Sequence, residues 1–397
     1  MKLLRPGWLP LALLAGMVLG GCAKTPPTPP GTPPGKAPGA GKEPYVIGAM
    51  FAVTGDASAL GVPEKNSATM LEKKLNAEGG IDGHPVKIVI EDTKGEPTEA
   101  VNAIKRLVEK DKVLAVVGPT RTGETMAVVD YADQAGVPLV SCALGIEIVQ
   151  PVKKWVFKTP ASDRSAVEKI AEYLKAKKIT QVATLTDNTG FGKSGLKELQ
   201  AGLPAAGIKL VATEEFGPKD PSMETQVTKI KGSRAQAVVC WGTAQGPGIV
   251  ARNMKQLSLK IPLICSQGVA SDKFLEVAGA AANGTVVIAN RLLVRDQIPD
   301  TDPQKKVLLQ FADDYQKDVG AAPDVFSGHA WDAIQLVAQA LRTAGPDRAK
   351  LRDQLELTTG FVGIDGLFNF SATDHCGLTK DAFVVIQVQD GKWKLQP

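Results

Sequence analysis

The chain has 397 residues, 44% of them hydrophobic and 22% charged, and the roughly 350 that follow its N-terminal stretch exceed one comfortable core, so two domains are expected. The formal charge of +4 sits entirely at the start: Lys2, Arg5, Lys24, Lys36 and Lys42 face only Glu43 before Tyr45, and the remainder balances to zero. A neutral body lacks the electrostatic footprint of a nucleic-acid binder, which excludes that class.

Lys2 and Arg5 precede an apolar run from Trp8 to Gly21, which leads into Cys22. A basic start, a short apolar core and small residues before a cleavage point read as a secretory signal over residues 1–21. The run is shorter than the roughly 20 residues a membrane-spanning helix needs, so it targets the chain without anchoring it. The ending Leu19-Gly20-Gly21-Cys22 resembles the lipobox of bacterial lipoproteins. That implies acylation of Cys22, membrane attachment through the lipid and an extracytoplasmic location. Residues 22–44 are rich in Pro and Gly, with Pro26-Pro27, Pro29-Pro30 and Pro33-Pro34 pairs. Such a stretch has nothing to bury and favours polyproline II at about 3.1 Å per residue, so it reads as a tether.

From Tyr45 short apolar runs alternate with helical patterns. Tyr45–Phe51 reads as a buried strand, Pro63–Asn76 as a helix, Val86–Ile90 as a strand and Pro97–Lys110 as a helix. Val113–Val117, a helix over Gly123–Ala135 and Pro138–Ser141 continue the alternation. It restarts with a helix over Arg164–Lys177, a strand over Val182–Thr186, a helix over Gly192–Ala206 and a strand over Ile208–Ala212. Ser222–Lys231, Ala237–Trp241, Gly246–Leu257, Pro262–Ile264 and Val286–Ile288 complete it. This is βαβα patterning, which predicts two α/β units with parallel sheets covered by helices. Helices are expected over Pro303–Lys317, Phe326–Arg342 and Asp347–Leu357, then strands over Gly366–Phe370 and Phe383–Gln389. A helical tail after two such units is best used to return and complete sheets already begun.

Gly190-Phe191-Gly192-Lys193-Ser194-Gly195 matches a dinucleotide-binding glycine pattern, with Glu214 and Glu215 near the end of the next strand. Asp187 stands where a phosphate-binding loop would need its first glycine. An exported protein meets little nucleotide, and a tight strand-to-helix turn explains the glycines, so a nucleotide-dependent enzyme is the weaker alternative. His84, His329 and His375 are scattered and no CxxC occurs, so neither a metal nor a cofactor is expected. Cys142, Cys240 and Cys265 each end a predicted strand, where a small buried hydrophobe is typical. Cys240 and Cys265 would be the pair to form any disulfide, and Cys376 is the remaining thiol.

In open α/β sheets ligands bind beyond the carboxyl ends of strands, near helix N-termini. Those positions are Thr120, Arg121 and Thr122 after Gly118-Pro119; Cys142, Ala143, Leu144 and Gly145; Phe191; Trp241 and Thr243; and Gln267. They offer hydroxyls, amides, one guanidinium and two aromatic walls, and the N–H groups at Thr122 and Gly123 favour an anion. No activated nucleophile or acid–base pair stands out. This is binding chemistry, not catalysis.

From Val46 to Trp393 the chain resembles the leucine/isoleucine/valine-binding proteins, the branched-chain amino acid class of solute-binding components of ABC importers. The landmarks are Asn76-Ala77-Glu78-Gly79-Gly80-Ile81-Asp82-Gly83, Val117-Gly118-Pro119, Gly136-Val137-Pro138-Leu139-Val140-Ser141 and Trp155-Val156-Phe157-Lys158-Thr159. Asp187 with Gly190-Phe191-Gly192, Ala330-Trp331-Asp332-Ala333 and Phe370-Ser371-Ala372-Thr373-Asp374-His375 follow in order. The resemblance implies the α/β type I periplasmic-binding-protein fold, two Rossmann-like lobes joined by three crossings with ligand clamped between them. It places residues 45–160 and about 289–360 in the first lobe, and 161–288 and about 361–397 in the second.

The resemblance also implies that Thr122, Ala143 and Gly145 hold a ligand carboxylate, with Arg121 as a candidate further contact. Phe191 would cover the ligand, and Trp241 and Thr243 would wall it. Gly145 stands where amino-acid binders carry a hydroxyl, and Gln267 where they carry the acid that pairs with the ligand ammonium. A buried ammonium without such a partner is costly. A branched or aromatic carboxylic acid is therefore expected to bind at least as well as the matching amino acid. The implied protein is a monomer partnered by an ABC permease; a ligand-sensing receptor subunit is the other alternative.

Overall fold

The computed structural model describes residues 41–243 and 245–396, so the signal segment, Cys22 and nearly all of the tether lie outside them. β1 (Tyr45–Phe51) is followed by α1 (Ser58–Ala77), β2 (Val86–Asp92), α2 (Pro97–Lys105), β3 (Ala115–Val117), α3 (Thr122–Ala135), β4 (Leu139–Ser141) and β5 (Val156–Lys158). These strands pair in parallel in the order β2-β1-β3-β4-β5. Their inner residues, Ile47, Ala115, Val116, Val117, Val140 and Phe157 among them, are wholly buried. A strand buried on both faces needs no alternation, which is why each reads as a continuous apolar run.

The second unit runs α4 (Asp163–Ala176), β6 (Gln181–Asp187), α5 (Gly190–Ala205), β7 (Lys209–Phe216), α6 (Glu224–Lys231), β8 (Ala237–Trp241), α7 (Gln245–Gln256), β9 (Leu263–Cys265), α8 (Asp272–Ala278) and β10 (Val286–Ala289). The chain then makes α9 (Lys305–Val319), α10 (Val325–Ala344) and α11 (Arg348–Glu356), a hairpin of β11 (Thr359–Val362) and β12 (Leu367–Asn369), and finally β13 (Val384–Gln389) and β14 (Lys392–Leu395). The second sheet has the order β14-β13-β10-β9-β8-β6-β7, parallel except for β13 and β14.

The tail divides its loyalties. α10 lies along α1 and against β3, the Ser67 hydroxyl donates to the Ser327 carbonyl at 2.7 Å, and Arg348 donates to the Val113 carbonyl at 3.0 Å. β13 pairs with β10 in the second sheet. The strand expected over 366–370 forms as β12, but the expectation that it completes a large sheet is corrected: β12 pairs only with β11 and joins neither. Helix α1 is a second correction, because it starts before Pro63 instead of at it. A proline in the second turn removes one helical bond. The preceding turn is held by packing, since a Cβ at Gly61 would lie 2.2 Å from the Ala52 carbonyl oxygen. Cys142, Cys240, Cys265 and Cys376 are buried free thiols, although Cys240 and Cys265 are register partners on neighbouring strands.

Where the chain passes between the sheets, buried polar groups converge on α10. The Thr159 hydroxyl, just after β5, donates to the His329 carbonyl at 3.0 Å. His329 Nδ1 lies 2.9 and 2.8 Å from the two Asp365 carboxylate oxygens, and Asn290, just after β10, donates to Asp365 at 2.7 Å. Asp332, one turn along from His329, accepts from the Ile364 and Asp365 amides, each at 2.7 Å.

Candidate ligand-binding site

The carboxyl ends of β3 and β4 face those of β6, β8 and β9 across a cleft. Gly118 carries φ +87°, and a Cβ there would lie 2.2 Å from the Met50 carbonyl oxygen, so only glycine fits the turn that aims the next residues at the cleft. Thr120 is buried; its hydroxyl accepts from the Ala52 amide at 3.0 Å and donates to Glu64. Its proton is thus committed to the protein. The Arg121 amide donates to Glu124 at 3.1 Å, an acid three residues on reaching back to the helix start. The Arg121 guanidinium reaches Asp56 at 3.3 Å. Thr122 opens α3, and its hydroxyl accepts from the Gly145 amide at 3.3 Å. The Ala143 amide donates to the Ser141 hydroxyl at 3.1 Å.

Gly145 has no space for the hydroxyl side chain of the amino-acid binders. A Cβ there would lie 2.5 Å from Thr122 Cγ2, so Thr122 already fills that volume.

On the facing wall, one carboxylate oxygen of Asp187 gathers the amides of Thr189 and Gly192, each at 3.1 Å, and the Thr189 hydroxyl. That turn launches α5 and presents Phe191. The Phe191 and Trp241 rings lie 5.7 Å apart, tilted by 41°. Trp241 is fully buried, and a Cβ at Gly195 would lie 2.3 Å from its Nε1. A Cβ at Gly268 would lie 2.9 Å from the Phe191 ring and 2.4 Å from the Gly242 carbonyl oxygen. Glycine at both positions lets the aromatic wall sit against backbone.

Between the walls is a narrow cavity of about 20 Å³, room for about one water. One side is formed by Thr120, Arg121, Thr122, Cys142, Ala143 and Leu144, the other by Phe191, Thr243 and Gly268. Leu60 of α1 and Phe326 of α10 complete it, two residues that strand-end reasoning misses. Gly145, Trp241 and Gln267 do not line it. Gln267 is buried, with its Nε2 amide lacking a partner among the described residues, and the same holds for Trp241 Nε1.

Several carboxyls around the cleft are desolvated. Burial pushes Glu64 well above the ordinary glutamate value, raises Glu124 to about 7 and raises Asp324, the N-cap of α10, to about 7. Raised carboxylate values mean that the folded state holds protons which the unfolded chain releases. Their stabilisation is complete below about pH 4, the unfolded range, and is lost as pH rises through 7. The midpoint of thermal unfolding is therefore expected to rise between pH 8 and pH 5, with Glu124 alone contributing ~3 kcal/mol. Glu124→Gln should flatten that slope in calorimetric scans across the range; an unchanged slope would exclude Glu124 as a source.

The chain matches the family model described as periplasmic binding protein over residues 44–392. It is 26% identical to a Leu/Ile/Val-binding protein homolog of Brucella melitensis over 350 residues, 87% of this chain and 92% of that relative. An extracellular ligand-binding receptor from Rhodopseudomonas palustris superposes with a TM-score of 0.84 at 26% identity, over 89% of this chain and all of that one. The branched-chain amino acid transporter substrate-binding protein of Streptococcus pneumoniae, solved with isoleucine, superposes with a TM-score of 0.78 at 27% identity, over 89% and 98%. The fold is the type I fold of those proteins, with two Rossmann-like lobes facing across the cavity. This chain belongs to the periplasmic binding protein family, whose members hold a solute and do not turn it over.

Proposed function

We propose that the chain is the lipid-anchored, extracytoplasmic solute-binding component of an ABC importer and that it clamps a small carboxylate between its lobes. The carrying observation is the cavity itself. It has the N-terminus of α3 with Thr122 on one wall and Phe191 on the other, and an oriented helix start favours an anion. The family and the transporter role of the pneumococcal protein support the importer reading. The Leu-Gly-Gly-Cys ending at Cys22 and the tether behind it support the anchor. The two-lobe division, residues 45–160 with about 289–360 against 161–288 with about 361–397, belongs to the same proposal, and its ties lie on α10.

The relatives' names favour a branched-chain amino acid, and the residue at 267 qualifies that. No acid lines the cavity among the described residues, and Gln267, outside its lining, is a neutral amide, so an ammonium finds no anion there. A branched or aromatic acid without the ammonium then loses nothing. Calorimetry with leucine and with 4-methylpentanoate tests the point, and the deaminated acid should bind at least as tightly. Micromolar binding of leucine with none of the acid would reject the argument. Thr122→Val should weaken whichever binds by about 1.5–3 kcal/mol, the scale of a hydrogen bond to a charged group.

A further inference from the structure

Thr120 lines the cavity, and behind it, outside the lining, stands the carboxyl of Glu64. Glu64 lies on α1, one turn beyond Leu60, and is 0% exposed. Its Oε2 is hydrogen-bonded to the Thr120 hydroxyl, while its Oε1 is buried and has no partner among the described residues. Among those residues no cation pairs with it. Lys73 and Lys74 of α1 pair with Asp318 and Asp314, Arg121 turns to Asp56, and Lys65 is exposed. The titratable groups that bear on Glu64 are Glu124 of α3, Asp324 at the start of α10 and the Cys142 thiol, which add negative charge or none. His329, further along α10, faces Asp365. A fully buried carboxylate with one hydrogen bond and no cation is costly, and such a group takes up a proton instead.

We infer that Glu64 sets the selectivity of this wall for a carboxylate: as a neutral acid it gives its proton to the Thr120 oxygen and so turns the Thr120 hydroxyl towards the solute as a donor. The inference rests on the carboxylate reading above and adds the residue that decides what Thr120 offers. A threonine hydroxyl has one proton and two lone pairs. The Ala52 amide takes one lone pair, at 3.0 Å. With Glu64 ionised, the Thr120 proton is committed to the carboxylate, and the remaining lone pair repels a solute carboxylate. With Glu64 neutral, its O–H takes that lone pair and the Thr120 proton is left for the cavity. One proton thus decides whether the same atoms present an acceptor or a donor. Glu64 is a positioning residue that acts through Thr120.

The test uses the full chain. The infrared difference spectrum between the native protein and E64Q at pH 7 reads the Glu64 proton whether or not a solute binds. A protonated-carboxyl band is expected, and a carboxylate band in its place overturns the inference. Calorimetry with 4-methylpentanoate reads Thr120. T120V should weaken binding roughly tenfold, the loss of one hydrogen bond to a charged group, and T120S, which keeps the hydroxyl, should recover most of that loss. A T120V protein that binds like the native one overturns the donor role, and so does a T120S protein that loses as much as T120V. The pH profile separates Glu64 from a merely structural acid. As the infrared band shows Glu64 giving up its proton on raising the pH from 6, affinity should fall in the native protein and not in E64Q. A fall of the same size in E64Q assigns it to Glu124 or Asp324 and overturns the inference. If 4-methylpentanoate does not bind, the proposed ligand class fails, while the infrared band still decides whether Thr120 is a donor.

Discussion

Replacing His329 with leucine is expected to lower the stability of the ligand-free protein by about 1–3 kcal/mol, the cost of leaving a buried polar group without its hydrogen-bond partner. His329 is fully buried, and Asp365 is 2% exposed. With the imidazole gone, Asp365 keeps the Asn290 amide at 2.7 Å but loses a donor that faces both of its oxygens. The damage falls where the chain passes between the sheets, because Asn290 and Thr159 are tied to the same region. Urea unfolding measures it, and Asp365→Asn, which keeps a polar group while removing the charge, should cost less. A loss under 1 kcal/mol in His329→Leu would show that the pair contributes little.

Gly190→Val is expected to weaken ligand binding about 100-fold while leaving the ligand-free fold intact. Gly190 opens α5, and a Cβ there would lie 2.9 Å from both the Cα and the N of Gly123 in the facing α3. Those are backbone atoms and cannot turn aside, so the strain is relieved by parting the lobes. Overpacking of this kind costs about 3 kcal/mol at its upper range, which is two decades in affinity. The reverse substitution is a control: a Cβ at Gly123 meets Gly190 only at 3.9 Å, so Gly123→Ala should bind normally. Calorimetry and scattering on the two variants check the pair. A Gly190→Val protein that closes and binds like the native one refutes the close approach.

The alternation of strands and helices was legible because each element carries its own period, and β1, β8 and most helices fall where the patterns put them. What escaped has local causes. Pro63 looks like a helix start and sits inside α1, which hid Leu60. Phe326 reaches the cavity only because α10 returns to lie along α1, a non-local fact that no window of sequence contains. β5 and β14 are short, with β14 alternating exposed Lys and buried Trp, and neither shows as an apolar run. At the cavity, position along a strand end tells which residues come near but not which way they face. Trp241 and Gln267 occupy such ends and stand behind Phe191 and Gly268, because Gly195 and Gly268 admit the rings so closely.

The buried thiols have a consequence for biosynthesis. Cys142, Cys240, Cys265 and Cys376 are all unpaired and shielded from solvent, and such thiols are inert to exchange. The covalent structure of the body is therefore complete once its last peptide bond is made. Its maturation calls on neither an oxidase nor a disulfide isomerase. The segment from Tyr45 onward, produced in a reducing cytosol, should reach the same fold as in an oxidising compartment.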